Sequence, residues 1–363
     1  MRTGFAAASA AVLFALAVPA LPADAPAETM PLAMARDIVG RTIALVESKG
    51  VYPRQRMEYE QAKVQLMLVL DGAPEQVDRA QLHARIRQLL ATLDADGHSL
   101  LFAPVQQHRM RSANTARKAA LPPAFRLVAT SRGAVLRWTP PPDINGEGVI
   151  DASVKRFYDE ADAHPEIEGA CALVVDLSEQ TGGTAWPPLI AMYPLFGRAN
   201  TARFVERDNK RIPIVDRAGL EASARAGAAG RANPLAPYAG GPLAVVVGSG
   251  TASAGEMLLV ALLGEQRVQT FGQTSYGLST ANMTYPLADG SQLVLTEMRY
   301  AQGDAPVYRG GIAPMHPEAK GAPADAAVRT AAEWAAANSP ACGPVAEKPQ
   351  SSVASAAGSN AFN

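Results

Sequence analysis

The chain has 363 residues, 48% apolar and 18% charged, with a formal net charge of −1. That length supports a sizeable core and two domains, and the near-neutral balance argues against nucleic acid or an anionic membrane surface as a partner. Cys171 and Cys342 stand outside any CxxC pairing, which argues against a structural zinc site.

Residues 1–25 read as a secretory signal, with Arg2 as the positive end, Phe5 to Val18 as the apolar stretch and Ala23-Asp24-Ala25 as the cleavage site. Pro19 and Pro22 interrupt a run already too short to span a bilayer. The mature chain is therefore expected to be periplasmic or secreted, with no membrane span after cleavage. In that compartment Cys171 and Cys342 either pair, or Cys171 stays an inert core thiol.

Apolar residues at helical spacing predict helices over Ala33–Glu47, Tyr59–Leu70 and Gln81–Leu93, punctuated by Gly50, Pro53, Gly72 and Pro74. They define an N-terminal helical domain over 26–105. Near its end stands Asp96-Gly97-His98-Ser99-Leu100-Leu101, where His98 is either a general base or a histidine in a solvated turn. Residues 106–120 are basic and polar and read as a linker.

Over 120–338 the pattern is α/β. Strands are predicted at Phe125–Thr130 and Ala134–Trp138, then a helix over Ala152–Ala163. Cys171–Leu177 is an apolar run of the kind buried on both faces. Gly182 and Gly183 follow it, as a plain turn or as a place where backbone N–H groups meet a ligand. Thr184–Gly197 lines a pocket or packs as core, and Asn200–Tyr238, Ala/Gly/Arg-rich at 222–232, reads as an insertion or flexible loop. A second buried strand, Leu243–Val247, breaks at Gly248-Ser249-Gly250, and a helix begins at Ala254. Ser253 sits at that junction, where a serine is either an N-cap or a nucleophile beside the positive end of a helix. Beyond it come a strand at Val268–Phe271, a loop over Gly272–Thr280, a hairpin of Met283–Leu287 and Gln292–Tyr300 around Asp289-Gly290, and a helix over Ala324–Ala337. The small, polar stretch 339–363 is expected to be disordered.

Four segments in this order carry a resemblance: DGHSLL at Asp96–Leu101, LVVDLSEQTGG at Leu173–Gly183, TASAGE at Thr251–Glu256, and FGQTSYGLST from Phe271 with the hairpin and GGIAP after it. Together they resemble the C-terminal processing (tail-specific) serine peptidases, in the tricorn-like and nisin-resistance-type branch without a PDZ domain; Ala103–Pro123 is too short to hold one. The resemblance implies a ClpP/crotonase-like ββα core, a peptide or protein substrate, and no metal or cofactor. It implies Ser253 as nucleophile, with the N–H of Ala254 and of Gly182 or Gly183 as the oxyanion hole. Many members place a lysine base where this chain has Leu278 after Tyr276-Gly277, so a Ser–Lys dyad is excluded there and the base passes to His98. Glu297 is expected to orient His98, and Trp186 and Tyr276 to contact substrate.

Two rivals stand beside this reading. An α/β-hydrolase-type esterase would need a histidine after the serine, which leaves His316. A catalytically inactive relative would bind peptides along the apolar Trp186–Phe196 segment.

Overall fold

In the computed structural model the described residues are 28–51, 55–72, 75–93, 97–104, 106, 124–142, 149–319, 322–323 and 325–343. The predicted signal, nearly all of the linker, and the stretch beyond residue 343 lie outside them.

The described chain opens on an antiparallel pair, β1 (Thr29–Pro31) and β2 (Gln76–Asp78), with helices Leu32–Lys49 and Arg56–Met67 between them. A third helix, Arg79–Leu90, starts under an N-cap: the Asp78 carboxylate accepts the Gln81 N–H at 2.8 Å. After it, β3 (Leu100–Phe102) joins a sheet formed by elements far downstream.

Next come β4 (Phe125–Thr130), β5 (Gly133–Trp138), helix Val149–Asp162 and β6 (Ala172–Asp176). Helix Trp186–Ala191, β7 (Ala202–Val205), β8 (Arg211–Pro213) and helix Arg217–Ala228 follow. The chain then runs through β9 (Leu243–Val247), helix Ala254–Leu263, β10 (Val268–Gly272), β11 (Thr280–Pro286), β12 (Gln292–Gln302), β13 (His316–Pro317) and helix Ala326–Asn338.

The main sheet has the order β13-β10-β9-β6-β5-β4, parallel except for the β4–β5 hairpin. Every residue of β6 and β9 is buried, because helices cover both faces. The period of two sorts their side chains. Leu173, Val175, Leu243, Val245 and Val247 enter the larger core with helices Val149–Asp162 and Ala254–Leu263. Ala172, Val174, Ala244 and Val246 face the other way, where their small size admits Ala327, Ala331, Ala332, Ala335 and Ala336 of the last helix.

The second sheet runs β11-β12-β7-β8, with β3 also paired to β12. Its Leu101, Leu287, Leu293 and Leu295 share one core with Ile38, Leu66, Leu82, Ile86 and Leu89 of the N-terminal helices. His83 also crosses this boundary, its Nε2 lying 2.8 Å from Asp289 Oδ2 with both side chains almost fully buried.

Two sequence expectations change, for Asn200–Tyr238 and for 339–343, and the open reading of Thr184–Gly197 resolves. The Ala/Gly/Arg-rich part of Asn200–Tyr238 is not a loop: it forms helix Arg217–Ala228, which packs closely on helix Val149–Asp162. A Cβ on Gly227 would meet Val154 Cγ1 at 2.6 Å, so the small residues that suggest a loop serve close approach. Most of the Thr184–Gly197 segment is core: Leu189, Ile190, Ala191, Met192, Leu195 and Phe196 are buried, while Trp186 is 42% exposed. Residues 339–343, expected to begin a disordered tail, pack on the main sheet. Cys342 is disulfide-bonded to Cys171 with their Cα atoms 5.0 Å apart, and the Gly343 N–H donates to the Arg132 carbonyl at 3.0 Å.

Candidate active site

The site forms at the C-terminal ends of β6 and β9, where the strands hand over to Gly-rich connections. Asp176 closes β6. Fully buried, it accepts hydrogen bonds from the Arg137 guanidinium and, at 2.9 Å, from the Ser178 N–H, and so fixes the first turn of the 177–183 loop. Thr251 fixes the opposite loop by donating its hydroxyl to the Leu177 carbonyl at 2.8 Å and accepting the Gly248 N–H at 3.0 Å. The Ala252 N–H then donates to the Gln180 carbonyl at 3.0 Å.

Ser253 follows with φ +53°, a conformation that a side-chain-bearing residue keeps only where its surroundings impose it. Here the surroundings do so: Ala252 is tied to Gln180, and the Ser253 N–H donates to Glu256 Oε2 at 3.1 Å. A Cβ on Gly255 would stand 2.3 Å from the Gln180 carbonyl oxygen, so only glycine lets the 177–183 loop rest on the helix start. Gly182 (φ +123°) and Gly183 (φ +106°) also occupy glycine-favouring conformations. The Gly182 backbone lies directly against Ser253, since a Cβ there would be 3.3 Å from Ser253 Cβ and 3.8 Å from Oγ. Ala254 is the first residue of its helix, where N–H groups have no intrahelical acceptor. Ser253, Ala254 and Gly182 therefore converge, and Ser253 is only half-buried.

Glu256 is the carboxylate beneath them. It is fully buried, and besides the Ser253 N–H it accepts the Ser275 hydroxyl at 2.6 Å, the Gly277 N–H at 2.9 Å and the Ser279 hydroxyl at 3.3 Å. Burial pushes its carboxyl above the ordinary range, and the four donors pull it back only in part. The loop so held carries Tyr276, 65% exposed, whose N–H donates to the Thr251 carbonyl at 2.8 Å. Leu278 is half-buried in the same loop.

Immediately after the loop, Thr280 Oγ1 lies 2.5 Å from His98 Nδ1. Thr280 is itself anchored, its carbonyl accepting the Tyr300 hydroxyl at 2.7 Å. His98 is buried, and its own carbonyl accepts the Asn282 amide at 3.0 Å. Among the described residues no direct hydrogen bond joins His98 to Ser253; they are linked through Thr280, Ser279 and Glu256. Nucleophile–base contacts are often long before substrate binds.

Glu297 does not meet His98. In β12, Thr296 pairs with Asn282 and Met298 with Ala281, which leaves Glu297 as the extra residue of a bulge. The Thr296 hydroxyl donates to Asn282 on the His98 side, whereas the Glu297 carboxylate accepts the Tyr285 hydroxyl. Thr280 had no motif to announce it. Glu256 had one: Ser253 followed by glutamate three residues later is a capping-box pattern. Among the described residues, no group of three or more His, Cys, Asp and Glu side chains could hold a metal ion, and no helix is long and apolar enough to cross a membrane.

Residues 145–315 match the family model of peptidase family S41. The matched span contains Gly182, Gly183, Ser253 and Tyr276, while His98 lies upstream of it. The chain is 39% identical over 85 residues to carboxyl-terminal-processing peptidase 2, chloroplastic, of Arabidopsis thaliana, covering 23% of this chain and 16% of that protein. It is 27% identical over 124 residues to the nisin-resistance protein of Lactococcus lactis subsp. lactis, covering 34% and 38%. The chain thus spans about a sixth and about two-fifths of these curated relatives. A lipoprotein from Streptococcus agalactiae shares the fold with a TM-score of 0.62 at 18% identity, over 84% of this chain and 96% of that one. The photosystem II D1 C-terminal processing protease does so with a TM-score of 0.50 at 15% identity, over 78% and 93%.

Proposed function

We propose that the protein is a periplasmic or secreted serine peptidase that cleaves peptide bonds through Ser253 and His98. The observation that carries this reading is Ser253, held at φ +53° at a helix start with the Gly182 backbone against its side chain, within the span that matches peptidase family S41. The catalytic pair, the export signal over 1–25, the 26–105 helical domain, the 120–338 core and its ClpP/crotonase-like ββα description belong to the same proposal.

On this reading His98 takes the tautomer that donates Nδ1–H to Thr280 Oγ1, and Nε2 serves as the base. It takes the Ser253 proton as Oγ attacks the substrate carbonyl. The N–H of Ala254 and of Gly182 or Gly183 stabilise the oxyanion. His98 then returns the proton to the leaving amine, and water repeats the sequence to free the acyl group. Trp186 and Tyr276, both exposed, contact the peptide on either side. Leu278, where the lysine-dependent relatives carry their base, offers no group that can accept a proton.

The rivals lose support from the same contacts. His316 stacks on Phe271 at 4.6 Å, and Phe271 belongs to the core on the sheet face opposite the Ser253 helix. The segment that an inactive peptide binder would use is mostly core.

The test is labelling by a fluorophosphonate probe together with hydrolysis of a peptide library. Ser253→Ala and His98→Ala should each lose labelling and nearly all turnover, and the double variant should be little worse than either. Leu278→Ala should keep turnover. Full activity in His98→Ala alongside a dead Ser253→Ala would place the base elsewhere.

A further inference from the structure

We infer that Glu256 is a positioning residue that sets Ser253 and His98 in register, one carboxylate oxygen holding the nucleophile's backbone and the other the loop that leads to the histidine's anchor. The inference rests on the peptidase reading above. It is carried by the four hydrogen bonds to a fully buried carboxylate. Oε2 takes the Ser253 N–H at 3.1 Å, and Oε1 takes Ser275, Gly277 and Ser279 at 2.6, 2.9 and 3.3 Å.

Two of these donors are backbone N–H groups, which cannot reverse their role, and they fall on different oxygens. Only an acceptor at both positions satisfies them. The Ser275 oxygen in turn accepts the Ile312 N–H at 2.8 Å, which commits its own proton to Glu256. The Ser279 hydroxyl reaches both Glu256 and, at 2.9 Å, the Gly310 carbonyl. One side chain therefore joins the start of the Ser253 helix, the 275–279 loop and the 310–312 turn, and the next residue after the loop is Thr280, which holds His98.

A helix-start carboxylate that only stabilised the helix dipole would act near the surface through its charge alone. Glu256 instead spans two separate pieces of the site from beneath. Oε2 fixes the strained Ser253 backbone and with it the direction of Oγ. Oε1 fixes the height of the loop and with it the Thr280 hydroxyl. Both must agree for the imidazole to meet the nucleophile. The charged form is needed, because a protonated carboxyl presents a donor where a backbone N–H points.

Glu256→Gln tests this, since the amide keeps the shape and places an NH2 group against an N–H. The expected result is at least a 100-fold loss in kcat and in the rate of fluorophosphonate labelling, with KM within about threefold of wild type. Glu256→Gln with Thr280→Val should be little worse than Glu256→Gln alone. If Glu256→Gln does not fold, Ser275→Ala carries the test, with a smaller fall in kcat at constant KM. Labelling of Glu256→Gln within threefold of wild type, additive losses in the double variant, or equal changes in kcat and KM would overturn the positioning role. A wild-type protein that the probe does not label would overturn the peptidase reading and this inference together.

Discussion

His98 Nδ1 and Thr280 Oγ1 lie 2.5 Å apart although 182 residues separate them in the chain. The contact occupies Nδ1, so on the proposed mechanism Nε2 is the ring nitrogen that serves as the base. A threonine hydroxyl orients the imidazole without lending it a negative charge, unlike the aspartate of the familiar triad. Thr280→Val removes the hydroxyl and keeps the shape. It should lower kcat about 10- to 100-fold, less than loss of the base itself, which typically costs about 10²–10⁴. Thr280→Ser should keep most activity. Steady-state kinetics on one good peptide substrate would check both, and equal rates for Val and wild type would remove Thr280 from the site.

Substitutions in the glycine pair should act on chemistry rather than on folding. A Cβ on Gly182 meets the Ser253 side chain at 3.3 Å, where a small displacement relieves it, although φ +123° remains unfavourable for alanine. Gly182→Ala keeps its N–H but shifts it, and should therefore cut turnover by up to about 10²–10³, the usual effect of losing one oxyanion donor outright. Gly255→Ala should be worse, since a Cβ 2.3 Å from a backbone oxygen forces the two loops apart. Circular dichroism beside probe labelling separates the two outcomes.

The buried His83–Asp289 pair should govern acid stability. Burial alone would raise the Asp289 carboxyl, but hydrogen bonds from His83 and from the Ser291 N–H and hydroxyl outweigh it and hold the group well below the carboxylate range. A carboxylate held low in the folded state contributes stability above its unfolded pKa, about 3.9, and loses it as pH falls toward the folded value. Asp289→Asn should flatten the acid limb of stability below about pH 4. His83→Ala, which removes the Asp289 Oδ2 partner and leaves only the Ser291 donors on Oδ1, should cost about 1–3 kcal/mol at neutral pH. Urea unfolding across pH tests both.

The Cys171–Cys342 disulfide closes a loop with a sequence separation of 171. Chain-entropy reasoning gives such a loop about 5 kcal/mol of stabilisation. Reduction or Cys342→Ser should lower the melting temperature without changing kcat at temperatures where the protein stays folded, because the bridge lies on the sheet face away from Ser253. A fall in kcat at full foldedness would contradict this.

Much of the fold was legible because some signals are local. Continuous apolar runs gave β6 and β9, and glycines marked the turns after them. Ser253 was visible from its place between a strand and a helix. Helix Arg217–Ala228 was misread because small residues suit both a loop and a close helix crossing, and only the partner Val154 distinguishes them. Thr280 was hidden because its role depends on a contact across most of the chain. Glu297 was chosen for its strand, but a one-residue bulge directs it to Tyr285, and no local pattern in β12 marks the bulge.

The N-terminal helices and β3 bring His98 to the second sheet, whereas Ser253 rests on the main one. On the proposed mechanism the two halves of the catalytic unit are thus held by separately packed cores. A chain in which the main sheet has formed but the helices have not docked carries a nucleophile without its base. On that mechanism the docking of the N-terminal helices is the folding step at which the nucleophile gains its base.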